Sequence, residues 1–167
     1  MSEGARPAVL ADLDAIAELL EEGVTEQQDA RGGPLWSRRE TRSRPYRMSV
    51  EQAYHDPDQQ LWAGTIDDIV VGYAACGLEV LRTGELLGVV TDLFVIEGAR
   101  AVGVGEALMD LVVPWCEERE CVGIDALALP GNRHTKNFFE TFGFKARLLT
   151  VHRPLRGFET PTGDGAT

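Results

Sequence analysis

The hexapeptide Arg100-Ala101-Val102-Gly103-Val104-Gly105 constrains this chain more than any other stretch. It stands between an apolar run, Leu86 to Ile96, and an amphipathic segment, Glu106 to Glu120. That order predicts a strand, a tight glycine turn and a helix. A helix start leaves backbone N–H groups without partners, and its dipole favours anions there. Glycines let a ligand's phosphates approach those donors, and Arg100 adds positive charge. The segment therefore reads as a pyrophosphate cradle, against the alternative that its glycines serve only backbone freedom.

Spacing narrows the ligand. A dinucleotide fingerprint needs a third glycine, but Leu108 stands there. A P-loop needs Gly-Lys-Ser/Thr, and the only lysines are Lys136 and Lys145. What remains, as written, is Arg-x-x-Gly-x-Gly.

With 167 residues, the expectation is one domain over residues 1–156, burying about 70% of its unfolded surface. No apolar run reaches the roughly 18 residues of a membrane span, and Met1-Ser2-Glu3-Gly4-Ala5 has no signal-peptide character. Cys76, Cys116 and Cys121 are odd in number and lack CxxC spacing, so neither a disulfide framework nor a metal site is expected. A reducing cytoplasm is the expected compartment. The net charge of −11 argues against a nucleic-acid partner, as the lack of a long apolar run argues against a membrane one. Six arginines (31, 38, 39, 42, 44 and 47) against Glu40 nonetheless give residues 31–47 a charge of +5. That loop reads as solvated, as a clamp for an anionic group such as a coenzyme phosphate, or as a contact for an acidic partner surface.

Arg6 to Val9 reads as a first strand. Leu13, Ile16, Ala17 and Leu20 mark an amphipathic helix with Asp12 as its N-cap and Gly23 as a first ending. Residues 31–48 read as irregular, followed by a short helix from Ser49 to His55 capped by Ser49. Leu61–Ile66 and Ile69–Val80 flank an Asp67-Asp68 hairpin turn, and Leu86–Ile96 follows. Pro114 lies inside the next helix. Cys121–Leu129 reads as a strand, Asn132 as the cap of a helix carrying Phe138, Phe139 and Phe142, and Gly143 as its end. Phe144–Val151 reads as a last strand whose edge leaves room for a homodimer. Residues 157–167 read as a disordered tail.

Several of these segments together resemble the GCN5-related N-acetyltransferases over about residues 5–155. Arg6-Pro7-Ala8 with Ala11-Asp12-Leu13-Asp14 is similar to that family's opening strand and helix. Asp92-Leu93-Phe94-Val95 is similar to the strand before its coenzyme loop. Asn132 with Phe138-Phe139-Glu140-Thr141-Phe142-Gly143-Phe144 is similar to its second signature. The resemblance implies an α/β fold with a mixed, mostly antiparallel, splayed sheet flanked by helices, and acetyl-CoA (coenzyme A) as cosubstrate. It implies that the backbones of Phe94 and Val95 bond the pantetheine arm and that Arg100, Ala101, Val102, Gly103, Val104 and Gly105 hold the pyrophosphate. Asn132 and Phe139 would line the other wall. Two positions depart from the pattern: Val102 stands where a Lys or Arg is frequent, and Phe139 where a proton-donating tyrosine is frequent.

The implied reaction is acetyl transfer to a primary amine of a small molecule or peptide, by direct attack in a ternary complex. Such an amine, with a pKa of about 10.4, must lose a proton. Asp92, on the same face of its strand as Phe94, is the candidate base. Glu79 could act through a water, and Tyr73 could replace the acid missing at Phe139. The histidines show no metal spacing, and no serine sits in a nucleophile elbow. The rival reading is a non-catalytic acyl-CoA-binding or regulatory module on the same fold.

Overall fold

Apolar alternation along the middle of the chain becomes one sheet, and the amphipathic segments become helices. The protein is described by a computed structural model over residues 2–156 and 158. In chain order the elements are β1 (Glu3–Pro7), α1 (Leu13–Gln27), α2 (Gly33–Arg39), α3 (Tyr46–His55), β2 (Gln59–Ile66), β3 (Ile69–Val80), β4 (Leu86–Val95), α4 (Val104–Glu118), β5 (Gly123–Ala126) and α5 (Arg133–Thr141). Short 3₁₀ segments occupy Leu10–Asp12 and Glu97–Val102.

The chain forms two compact units. The first takes residues up to Glu22 together with Arg42–Leu127, and holds the whole sheet. Strand order is β1-β2-β3-β4-β5, antiparallel except for the parallel β4–β5 pair. This is the mixed, mostly antiparallel sheet expected from the sequence. The β2–β3 hairpin turns on Asp67 and Asp68, whose φ of 48° and 65° match the strand twist in a two-residue loop.

Helix α4 packs across the sheet and buries Val104, Leu108, Met109, Val112, Trp115 and Cys116. Its start is seated by Gly64 of β2. A Cβ on Gly64 would lie 2.6 Å from Val104 Cγ1 and 3.1 Å from Leu108 Cδ1, so only glycine allows this approach. The helix runs through Pro114 without ending. Trp115 meets Trp62 of β2 edge-on, with centroids 5.7 Å apart. Asp12 bonds the Val9 N–H at 2.8 Å and forks with Arg6 at 2.7 and 3.0 Å, which ties β1 to the start of α1.

The second unit takes Gly23–Thr41 and the residues from Ala128 on. There Phe139 packs its ring against Phe138 and Phe144, at 5.7 and 5.1 Å. Asn132 caps α5 by accepting the Thr135 N–H at 3.1 Å, and Gly143 follows the helix at a φ of 86°.

The structure corrects several element boundaries. Gly23 does not end α1, which continues to Gln27. Residues 31–48 are not all irregular: Gly33-Pro34 opens α2, because proline at a helix start loses no needed N–H. Helix α3 begins at Tyr46, so Ser49 lies inside it, buried, with its hydroxyl donating to the Ser43 carbonyl. Strand β5 covers only Gly123–Ala126. Phe144–Val151 forms no strand: it joins no sheet among the described residues, and Leu148, Leu149 and Val151 are exposed. The strand edge that suggested a homodimer is therefore not formed. The tail expected at 157–167 lies, Phe158 apart, outside the described residues.

Gly64→Ala forces α4 away from β2. We expect a loss of about 1–3 kcal/mol in denaturant unfolding, the range for overpacking a filled interface.

Candidate active site

The edge of β4 organises the site. β4 pairs with β3 along its length, but with β5 only from Leu87↔Gly123 to Val90↔Ala126. The β3 register jumps at the same place: Cys76 opposes Val90 and Ala75 opposes Asp92, so Thr91 is one residue too many. That is a β-bulge, which kinks and over-twists its strand. From Thr91 onward the outer edge of β4 has no strand partner among the described residues.

Backbone alternation then decides which groups face that edge. The Ile96 N–H bonds the Val71 carbonyl at 3.0 Å, so the Gly72–Val95 pair is the non-hydrogen-bonded type. Val95 and Leu93 consequently turn their N–H and C=O groups outward, while those of Phe94 face β3. Of Phe94 and Val95, the two residues expected to offer backbone contacts, only Val95 faces the open edge, and Leu93 joins it there. Only strand register could have indicated it.

The open edge leads directly into the glycine segment. After Ile96 comes the 3₁₀ turn carrying Arg100, Ala101 and Val102, then Gly103 at a φ of 92°. That left-handed value, awkward for any residue with a Cβ, reverses the chain into α4. No side chain caps α4, whose first intrahelical bond runs from the Ala107 N–H to the Gly103 carbonyl at 3.0 Å. Val104 and Gly105 are buried in its first turn. Arg100 Nε donates to the Val95 carbonyl at 2.8 Å, and its guanidinium lies 5.6 Å from the Phe94 ring centroid. Arg100 thus braces the end of β4 as well as charging the turn.

Asp92 lies at the centre of a hydrogen-bond cluster. Arg42 Nε lies 3.1 Å from both carboxylate oxygens, and an Arg42 terminal nitrogen 2.9 Å from Oδ1. Tyr73 Oη donates to Oδ2 at 2.8 Å and Thr91 Oγ1 to Oδ1 at 2.7 Å. Arg42 also reaches Thr91 Oγ1 at 3.2 Å. The side chains of Arg42 and Asp92 are only 15% and 7% exposed.

These contacts revise the three catalytic expectations. Asp92 has its acceptor positions taken and a cation forked onto it, which is the environment of an anchor. Tyr73 commits its proton to Asp92. Burial, then the negative charge of Asp92, holds its hydroxyl well above the ordinary tyrosine range, so it is a poor acid. Glu79 opposes Leu87, eight residues before Val95, or roughly 25 Å away along the strand. The structure does not bring Glu79 to the open edge, which begins at Thr91.

Four arginines of the arginine-rich segment make ion pairs with the chain's own acids. Besides Arg42, Arg44 pairs with Glu21 at 3.5 Å, and Arg47 with Asp14 at 2.7 Å and Glu51 at 2.9 Å. In the second unit Arg39 pairs with Glu40, and Arg38 lies 4.7 Å from the Phe158 ring centroid. Sequence reasoning missed Arg42, because nothing in a run of arginines marks the one that reaches a strand 50 residues away.

The chain matches the sequence model of the Acetyltransferase (GNAT) family over residues 19–144 and belongs to that family of acetyltransferases. No curated protein matches the sequence. Its fold is similar to that of the tetramutant of BH1408 protein from Bacillus halodurans, at 18% identity and a TM-score of 0.76, covering 90% of this chain and 99% of that one. It is similar to ribosomal-protein-alanine N-acetyltransferase from Brucella melitensis biovar Abortus 2308, at 19% identity and 0.67, covering 93% and 100%. It is also similar to AAC(6')-Iy in complex with the bisubstrate analog CoA-S-monomethyl-acetylneamine, at 15% identity and 0.67, covering 93% and 99%. Among the described residues no group of three or more His, Cys, Asp or Glu could hold a metal ion, and no helix is long and apolar enough to cross a membrane.

The raised Tyr73 hydroxyl gives a signed pH dependence. Its stabilisation is complete below the ordinary tyrosine pKa of about 10 and is lost as pH rises toward the folded value. Ultraviolet titration should therefore show one tyrosine ionising late, together with unfolding. Tyr73→Phe should remove that component and flatten the alkaline limb of the stability curve.

Proposed function

We propose that this protein is an acetyl-CoA-dependent N-acetyltransferase acting on a primary amine of a small molecule or peptide, by direct attack in a ternary complex. The observation that carries the reading is continuity. The outward-facing groups of Leu93 and Val95 lead through one 3₁₀ turn to the uncapped N-terminus of α4. An extended edge suits the amides of a pantetheine arm, and a helix start behind a left-handed glycine suits a pyrophosphate. When bound, acetyl-CoA supplies the thioester whose acyl group is transferred. Val95 N–H would donate to the oxygen that gains charge as the amine attacks. The amine-modifying neighbours, one of them holding a CoA bisubstrate analog, support an amine as acceptor.

Proton handling falls to solvent on this reading. With Asp92 saturated and the Tyr73 proton committed, the chain binds the neutral amine and does not itself deprotonate it. A thiol pKa near 8.5 lets the leaving group depart as thiolate, so a phenyl ring at Phe139 does not forbid turnover. The acidic body favours cationic amines in the encounter. The three free thiols accord with a reducing cytoplasm.

The occupied Asp92 and the missing hydroxyl at Phe139 also favour a second reading, a non-catalytic acyl-CoA-binding module. Amine-dependent release of thiol from acetyl-CoA separates the two, since a binding module produces none.

Calorimetric titration with acetyl-CoA should give micromolar binding, weakened at least about tenfold in Gly103→Val, whose β-branched side chain cannot adopt a φ of 92°. No binding by folded wild-type protein would remove the enzyme reading. The second test is a pH profile. Without an enzymic base, log kcat/KM should climb with unit slope from pH 6 to pH 9, and a plateau in that interval would reveal a titrating group on the protein.

A further inference from the structure

We propose that Arg42 is a positioning residue: by forking onto Asp92 and reaching Thr91, it holds the bulge that turns the Leu93 and Val95 backbone groups outward. Thr91 is the extra residue of the bulge, and β5 pairing stops immediately before it. Four donor groups converge on Asp92, and they come from three places in the chain. Thr91 and Asp92 belong to β4 itself, Tyr73 to β3, and Arg42 to the segment before α3. The cluster therefore fastens the bulged residues to their neighbour strand and to a loop 50 residues earlier. A bulge at the end of a pairing would otherwise be free to slide by one residue, which would exchange Phe94 for Leu93 and Val95 at the open edge. The planar fork of Arg42 defines one geometry for Asp92, as a lysine ammonium would not.

The ligand-binding consequence rests on the acetyltransferase reading; the clamp itself does not. The test uses the full chain carrying Arg42→Gln, Asp92→Asn, and both together. Three quantities are read: thermal midpoint, amide hydrogen exchange at Phe94 and Ile96, whose N–H groups face β3, and calorimetric binding of acetyl-CoA. Arg42→Gln strands a buried carboxylate and should lower the midpoint sharply. Adding Asp92→Asn removes the stranded charge, so the double variant should return to within about 2 °C of wild type. In the double variant, exchange at Phe94 and Ile96 should nonetheless stay at least about tenfold faster than in wild type, and acetyl-CoA binding about tenfold weaker. A pair that only stabilises would restore all three together, and that result overturns the proposal, as does wild-type exchange in both Arg42 variants. Should Arg42→Gln fail to fold, the double variant alone decides. Should wild type not bind acetyl-CoA, the acetyltransferase reading falls and the exchange measurement still judges Arg42.

Discussion

Backbone N–H and C=O groups demand partners, and the end of β4 is built so that some of them face away from the sheet. A strand interior to a sheet ordinarily satisfies both edges. Here β5 is four residues long and stops pairing at Val90, whereas β4 continues to Val95. An open edge is a liability that proteins normally cover or shorten. In this chain one outward carbonyl, that of Val95, is covered by Arg100. The remaining outward groups of Leu93 and Val95 are what an amide-bearing ligand would complete.

The Arg42–Asp92 pair is better understood through geometry than through stability. A buried ion pair loses hydration on both sides and gains back a comparable amount, so its net worth is small, whereas breaking it strands a charge. The exposed pairs of Arg44 and Arg47 with acids on α1 and α3 are worth less still, since solvent screens them. What distinguishes Arg42 is where its fork lands, on the two residues that make the bulge. The same donors that make Asp92 a good anchor are those that, on the proposed reading, keep it from serving as the base. On the proposed reading, a single cluster fixes the edge and would leave proton transfer to solvent.

Much of the scaffold was legible in the residues. Alternation marked β3 to its exact limits at Ile69 and Val80, and paired aspartates marked the hairpin. The glycine segment was placed at the entry to α4, and Asn132 with Gly143 at the two ends of α5. What escaped was set by partners distant in sequence. Phe144–Val151 has the apolar content of a strand, but a strand exists only where another edge receives it. The bulge at Thr91 left no local signal, and with it went the choice between Phe94 and Leu93. Asp92 was singled out correctly as unusual, an acid in an apolar run, but its chemistry depended on Arg42, Tyr73 and Thr91 converging on it. Composition could count six arginines near residue 40; only the fold could show that most of their charge is spent on the chain's own acids.

That spending matters for recognition. With Arg42, Arg44 and Arg47 each paired to acids, little of the +5 of residues 31–47 is left to offset the −16 of the rest of the chain. A polyanionic coenzyme would meet an unfavourable field at long range, while a cationic amine would meet a favourable one. On the proposed reading, affinity for the coenzyme would come from short-range donors: the N–H groups behind Gly103 and the outward groups of Leu93 and Val95. Backbone donors carry no net charge, lose no side-chain entropy on binding, and point where the strand and helix aim them. Their orientation is therefore the quantity the fold has to protect. The left-handed Gly103, the close seat of α4 on Gly64 and the Arg42 cluster at Thr91 each protect one part of it.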